Sequence, residues 1–100
     1  MKIIHKYPLW EGALETRVQT HQGAKVLKLA LQNSREMVWM MVDPNLPKAA
    51  MLFKIVATGS PLSDDISKWE YLDTVIVAED AYVWHIFWKW ENDNDGKPSK

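Results

Sequence analysis

A chain of 100 residues with 47% hydrophobic and 25% charged residues has the composition of one globular domain around a single core, not that of a disordered chain. A net charge of −1, with lysines and acids interspersed, argues against a general binder of duplex nucleic acid, because counterion release from phosphates needs a basic excess. Cysteine is absent, so the core closes without crosslinks and suits a reducing compartment. No apolar run approaches the roughly 20 residues that span a bilayer, and the opening MKIIHKYPLWEG is too short in apolar residues for a secretory signal. The expectation is a cytoplasmic protein with no membrane partner.

Period-two alternation, the mark of strands with one buried face, recurs along the chain. Residues 2–7 (KIIHKY) read as a first strand with Ile3, His5 and Tyr7 on one face, ended by Pro8. Residues 13–20 (ALETRVQT) set Leu14, Thr16, Val18 and Thr20 against Glu15, Arg17 and Gln19. The segment 23–32 (GAKVLKLALQ) fits helix through Val26, Leu27, Ala30 and Leu31 and strand through Leu27, Leu29 and Leu31; strand is preferred, with residues 24–32 left open between the two. NSRE (33–36) reads as a turn leading to MVWMMV (37–42), apolar on both faces and therefore a central strand.

VDPNLPKAA (42–50) carries two prolines and predicts a loop, with room for one helical turn after Pro47. Strand character returns in MLFKIVA (51–57) and, after the turn-rich TGSPLSDD (58–65) and a short helix at DISK, in WEYLDTVIVA (69–78). A tight turn at Glu79 and Asp80 leads to AYVWHIFWKW (81–90), and the polar ENDNDGKPSK is expected to fray, giving a β domain over residues 1–91 and a tail over 92–100. About seven short strands joined by compact turns imply a mainly β fold, a single-domain antiparallel β-sandwich or partly open barrel.

KIIHKYPL, GAKVLKLALQN with the following Trp39, VDPNLP, ATGSPLSDD and VWHIF together resemble a family of small phage and prophage proteins of unknown function. Its members look like K-I-I-x-K-Y-P-L, G-A-K-(I/V)-L, V-D-P, G-T-G-x-P-L and V-(W/F)-H-(V/I)-F in that order. Ser60 stands where that pattern carries a histidine, and the chain continues past Phe87 with Trp88, Lys89 and Trp90. The resemblance implies a phage origin and a fold, and it carries no chemistry.

No catalytic constellation emerges. His5, His21 and His85 fall on different strands or turns, no G-x-S-x-G elbow or thiol nucleophile occurs, and no spacing suggests a metal or cofactor site. Asp64 and Asp65, beside Ser60 and Ser63, are candidates to hold a hard cation or orient a ligand hydroxyl, against the plainer reading of a solvated loop whose aspartates cap a short helix. His85 shares the face of Val83 and Phe87 and is expected to be a hydrogen-bonded histidine in or near the core, with a ligand contact as the alternative; Arg17 is a candidate phosphate or carboxylate contact whose default is a surface ion pair.

The last strand raises a sharper question. Alternation sends Tyr82, Trp84, Ile86, Trp88 and Trp90 to one face. A small core already holding Trp39, Phe53, Ile55, Leu72 and Ile76 is expected to leave Trp88 and Trp90 uncovered, so Tyr82, Trp84, Trp88 and Trp90 are the expected interaction residues and a homo-oligomer, most simply a dimer, the expected cover. The functional expectation is a non-enzymatic interaction protein of phage type, docking on and blocking a host protein such as a defence component in the host cytoplasm. The alternatives are an oligomeric binder that sequesters a small nucleotide and an accessory protein of phage structure or assembly.

Overall fold

The computed structural model describes residues 1–9, 15–33, 35–77 and 82–97. In chain order the strands are β1 (Ile3–Pro8), β2 (Glu15–His21), β3 (Lys25–Gln32), β4 (Arg35–Val42), β5 (Lys48–Ala57), β6 (Glu70–Val77) and β7 (Tyr82–Trp90), with 3-10 turns η1 (Asp64–Lys68) and η2 (Asp93–Gly96). They form a three-stranded sheet of order β1-β4-β3 and a four-stranded sheet of order β2-β5-β7-β6, every pairing antiparallel. The expected turn at Glu79 and Asp80, the start of β2 at residues 13–14 and the end of the tail at 98–100 lie outside the described residues.

The two sheets pack face to face, as a sandwich rather than a closed barrel. Val38, Met40, Val42 and Leu29 of one sheet meet Met51, Phe53, Ile55, Val18, Val75 and Ile86 of the other, all buried in one continuous cluster. The molecule measures 17 Å along its thinnest axis, consistent with two layers about 10 Å apart plus their outer side chains. Tyr7 and Thr20 join hydroxyls across the layers at 3.1 Å.

Strand starts differ from the sequence reading where turn residues proved compact. β4 begins at Arg35, which pairs with Gln32, and Asn33 just past that pair takes φ 53°. β5 begins at Lys48, directly after Pro47, with no helical turn between. At the turn His21–Ala24, Gly23 takes φ 73°, a conformation that glycine adopts at no steric cost, and β2 passes from one sheet to β3 in the other. Pro8 sits inside β1 opposite Met37, which an edge strand tolerates, and Leu9 N–H resumes the ladder on Glu36 O at 3.0 Å.

Two β-bulges account for the side chains that sequence periodicity misplaced. In β3 the register shifts between Val26 and Lys28, so Val26 and Leu29, three apart, both face the core. That spacing mimics a helix, while Leu27 is left exposed. In β6 the shift between Tyr71 and Asp73 reverses the alternation: Val75 becomes core, and Ile76, expected inside, is 56% exposed on the outer face. Trp39, also expected in the core, points away from it, because Val38 and Met40 on either side are fully buried.

The tryptophan row of β7 is corrected most. Ile86 is fully buried, so Trp84, Trp88 and Trp90 share its face and pack, half-buried, against the inter-sheet core. Trp88 and Trp90 meet edge to face at 6.3 Å, and η2 closes over Trp90 so tightly that a Cβ on Gly96 would stand 2.9 Å from its Nε1. Residues 92–97, expected to fray, form this cover: Asn92 caps η2, Gly23 N–H donates to Asp95 O at 2.8 Å, and Gln22 reaches the Asp95 carboxylate. One subunit thus supplies part of the cover, over Trp90, that was expected of a partner copy.

Trp90→Ala is expected to lower unfolding stability by about 2–4 kcal/mol in denaturant titrations without changing the elution volume in size-exclusion chromatography; a shifted volume at unchanged stability would return these rings to an interface. Thr16 is buried opposite Phe53 with no hydrogen-bond partner for its hydroxyl, so Thr16→Val is expected to raise stability by about 1 kcal/mol in the same titration.

Candidate functional site

With the tryptophans turned inward, alternation sends Val83, His85, Phe87 and Lys89 of β7 to the outer face of the four-stranded sheet, so His85, expected in or near the core, stands outside it because the buried Ile86 faces the other way. The β5–β7 register sets Val56 beside His85 and Lys54 beside Phe87; the β6–β7 register adds Thr74 beside His85, Tyr71 beside Phe87 and Ile76 beside Val83. Tyr71 packs its ring edge-on against Phe87 at 5.6 Å, and both Tyr71 and Ile76 are more than half exposed. The result is an apolar outer surface with one histidine at its centre.

His85 is held at both ring nitrogens. Thr58 Oγ1 lies 2.7 Å from Nε2 and Thr74 Oγ1 lies 2.9 Å from Nδ1, and the Tyr71 hydroxyl continues the chain by bonding to Thr74. Threonine hydroxyls can donate or accept, so either tautomer is satisfied. The ring orientation is thereby set.

The loop from Thr58 to Ser63 rises beside this surface. Gly59, at φ 87°, turns the chain as only glycine does readily, and Pro61 stiffens the backbone toward Leu62 by fixing its own φ. Between loop and sheet lies a cleft of about 430 Å³ over Val56 and Ala57, walled by Ser60, Leu62 and Ser63 with Lys54 and Glu15 at one end. A second hollow of about 190 Å³ shares Val56, Ala57, Ser60 and Leu62 and extends to His85 and Phe87. Together they make one groove, apolar in its floor and polar at its ends, and the larger part falls in the size range of small-molecule and peptide sites.

The far end is tied down by charge. Lys54 Nζ donates to Ser63 Oγ at 3.3 Å, Ser63 donates to Asp65 Oδ1 at 2.5 Å, and Lys54 stands 4.0 Å from the same carboxylate. Trp69 is buried beneath two ammonium groups, Lys54 at 4.5 Å and Lys89 at 4.8 Å from its ring centroid. The Ser63 hydroxyl, with Lys54 and Lys89 near, holds the Asp65 carboxyl below the usual aspartate range.

Of the residues expected from sequence, the fold brings His85, Ser60 and Ser63 to the groove, while Asp64 and Asp65 do not line it. Asp64 and Asp65 open η1, but Asp65 bonds Ser63 instead of offering itself to a ligand, and Asp64 is merely exposed. Arg17 lies on the same face of β2 and forks onto Glu91, Nε to Oε2 at 2.7 Å and a terminal nitrogen to Oε1 at 3.2 Å; this pairing raises the pKa of the guanidinium and lowers that of the carboxyl. Tyr82, more than half exposed, stacks on Trp84 at 6.1 Å, at the far end of the row from Trp88 and Trp90. No group of three or more potential metal ligands occurs among the described residues. Thr58, Thr74, Tyr71, Lys54 and Leu62 escaped the sequence reading. T-G-S-P announces a loop, but only the strand register sets that loop over His85.

An aspartate whose folded pKa is depressed contributes stability above the ordinary carboxylate range and loses it as pH falls through its folded value. Ser63→Ala is therefore expected to move the Asp65 titration midpoint upward, read by carboxyl ¹³C NMR; an unmoved midpoint would clear Ser63 as the cause. No curated protein and no solved structure matches this chain. A family profile matches residues 1–97, which include all seven strands of the β-sandwich, and the chain belongs to that family, the domain of unknown function DUF7352.

Proposed function

We propose that this protein is a non-enzymatic interaction module that docks a partner protein on the outer face of its four-stranded sheet, with the groove beside Thr58–Ser63 receiving the partner's anchoring side chain. The observation that carries this reading is the pairing of an apolar surface, Tyr71, Ile76, Val83 and Phe87, with a histidine braced at both nitrogens in its middle. Interface centres combine aromatic anchors with a few polar groups of set direction. His85 commits both nitrogens to hydroxyls, which favours a contact group over a general base.

The phage-type setting implied by the KIIHKYPL to VWHIF resemblance makes a host protein, such as a component of a defence system, the partner class we favour, met in the host cytoplasm. Sequestration of a small nucleotide is less well supported, because Arg17, the cation assigned to its phosphates, is already bidentate with Glu91, leaving Lys54 as the cation lining the groove.

A photo-crosslinking residue in place of Leu62, half-exposed on the groove wall, tests this in cells that carry the gene. A discrete crosslinked protein is expected from position 62 and none from the exposed Asn45 of the loop between β4 and β5, with loss of the product when Val83→Asp is added and folding is intact by circular dichroism. Equal products from both positions, or none, would remove the groove as a docking site.

A further inference from the structure

The outer face of the three-stranded sheet has a different pattern. Because Val38, Met40 and Val42 are buried in the core, Met37, Trp39 and Met41 form an apolar stripe along the outside of the central strand, half-buried by their neighbours. In register, Lys6 of β1 and Lys28 of β3 flank Trp39, and Lys25 flanks Met41. Ile4, 62% exposed, extends the stripe on the β1 side. Among the described residues of these three strands the one carboxylate, Glu36, is buried, and none of the lysines pairs with an acid within 4.0 Å. Lys6 instead reaches across the sheet to the neutral Gln32 at 2.6 Å.

We propose that this face is a second docking surface, for an acidic amphipathic helix of a partner protein. Three strands by three outward rows span roughly 10 by 14 Å, the footprint of about two to three turns of a helix some 10 Å wide. An apolar stripe edged on both sides by lysines is the complement of a helix whose apolar stripe is edged on both sides by Glu or Asp. Paired methionines suit such a partner, since their unbranched side chains mould to varied apolar anchors.

The same observations disfavour other occupants. A second copy laid face to face would set lysine against lysine. A single-stranded nucleic acid stacks successive bases on successive rings, whereas here one indole stands between two methionines.

The test uses the intact protein labelled with ¹³C-methyl methionine and ¹⁵N-indole tryptophan, titrated with four probes: a helical peptide with a leucine stripe flanked by glutamates, its lysine-flanked counterpart, oligo-deoxythymidine, and phosphatidylserine vesicles. The glutamate peptide is expected to shift the Met37, Met41 and Trp39 signals, to bind about tenfold more weakly to Lys28→Glu and to Lys25→Glu, and to weaken as salt rises. Both variants lie at exposed positions, so folding is checked by unchanged core methyl shifts. The proposal is overturned if the glutamate peptide leaves those three signals unmoved, if both variants bind it as well as the unaltered protein, or if the lysine peptide, the oligonucleotide or the vesicles bind as tightly. Because these signals lie on the opposite sheet from Leu62, their behaviour is independent of the crosslinking result.

Discussion

Burial of Ile86 against Phe53 and the facing sheet is the constraint that sets the functional surfaces. Side chains on a strand alternate, so once Ile86 is inside, Trp84, Trp88 and Trp90 must line the core side, and His85 and Phe87 must face out. The same rule on β4, with Val38, Met40 and Val42 inside, turns Met37, Trp39 and Met41 outward. A slip of one residue in either central strand would exchange core for surface along its whole length, which makes register strongly specified wherever one face is buried.

The two outer faces that result are chemically distinct. The four-stranded face carries aromatic and β-branched side chains around a hydrogen-bonded histidine, with its ion pairs, Arg17 to Glu91 and Lys54 to Asp65, at the periphery. The Arg17–Glu91 pair is solvent-exposed and of a kind that stabilises little, whereas Lys54 is partly buried in its pair with Asp65; both pairs occupy cations that would otherwise be free. On the three-stranded face the lysines have no carboxylate among the described residues, so a near-neutral chain still presents a locally positive surface around an apolar stripe. Net charge conceals that asymmetry because the acids lie mostly elsewhere.

Core economy explains why so many tryptophans fit in so small a domain. Trp69 leaves the core altogether and lies under Lys54 and Lys89, its ring buried by ammonium groups on the outside of the sheet. Trp90 is partly covered by η2, where Gly96 approaches so closely that a Cβ would stand 2.9 Å from the indole Nε1. Thr16, on the outer strand β2, is buried with no partner for its hydroxyl, a departure from full satisfaction that costs free energy.

The sequence by itself determined a single mainly β domain, six of its seven strands to within a few residues with residues 24–32 left open between strand and helix, the shared face of His85, Val83 and Phe87, and the loop character of Thr58–Asp65. These are local properties, carried by period-two alternation and by turn-forming residues. Only the tertiary structure decided which face of each strand is the core, because a strand apolar on both sides, as β4 and β7 are, reads the same from either direction. Bulges at Leu27 and Leu72 were equally invisible, since one extra residue reverses the alternation without altering composition. The bracing of His85 by Thr58 and Thr74 rests on hydrogen-bonded register between strands distant in sequence, and no spacing along the chain encodes it.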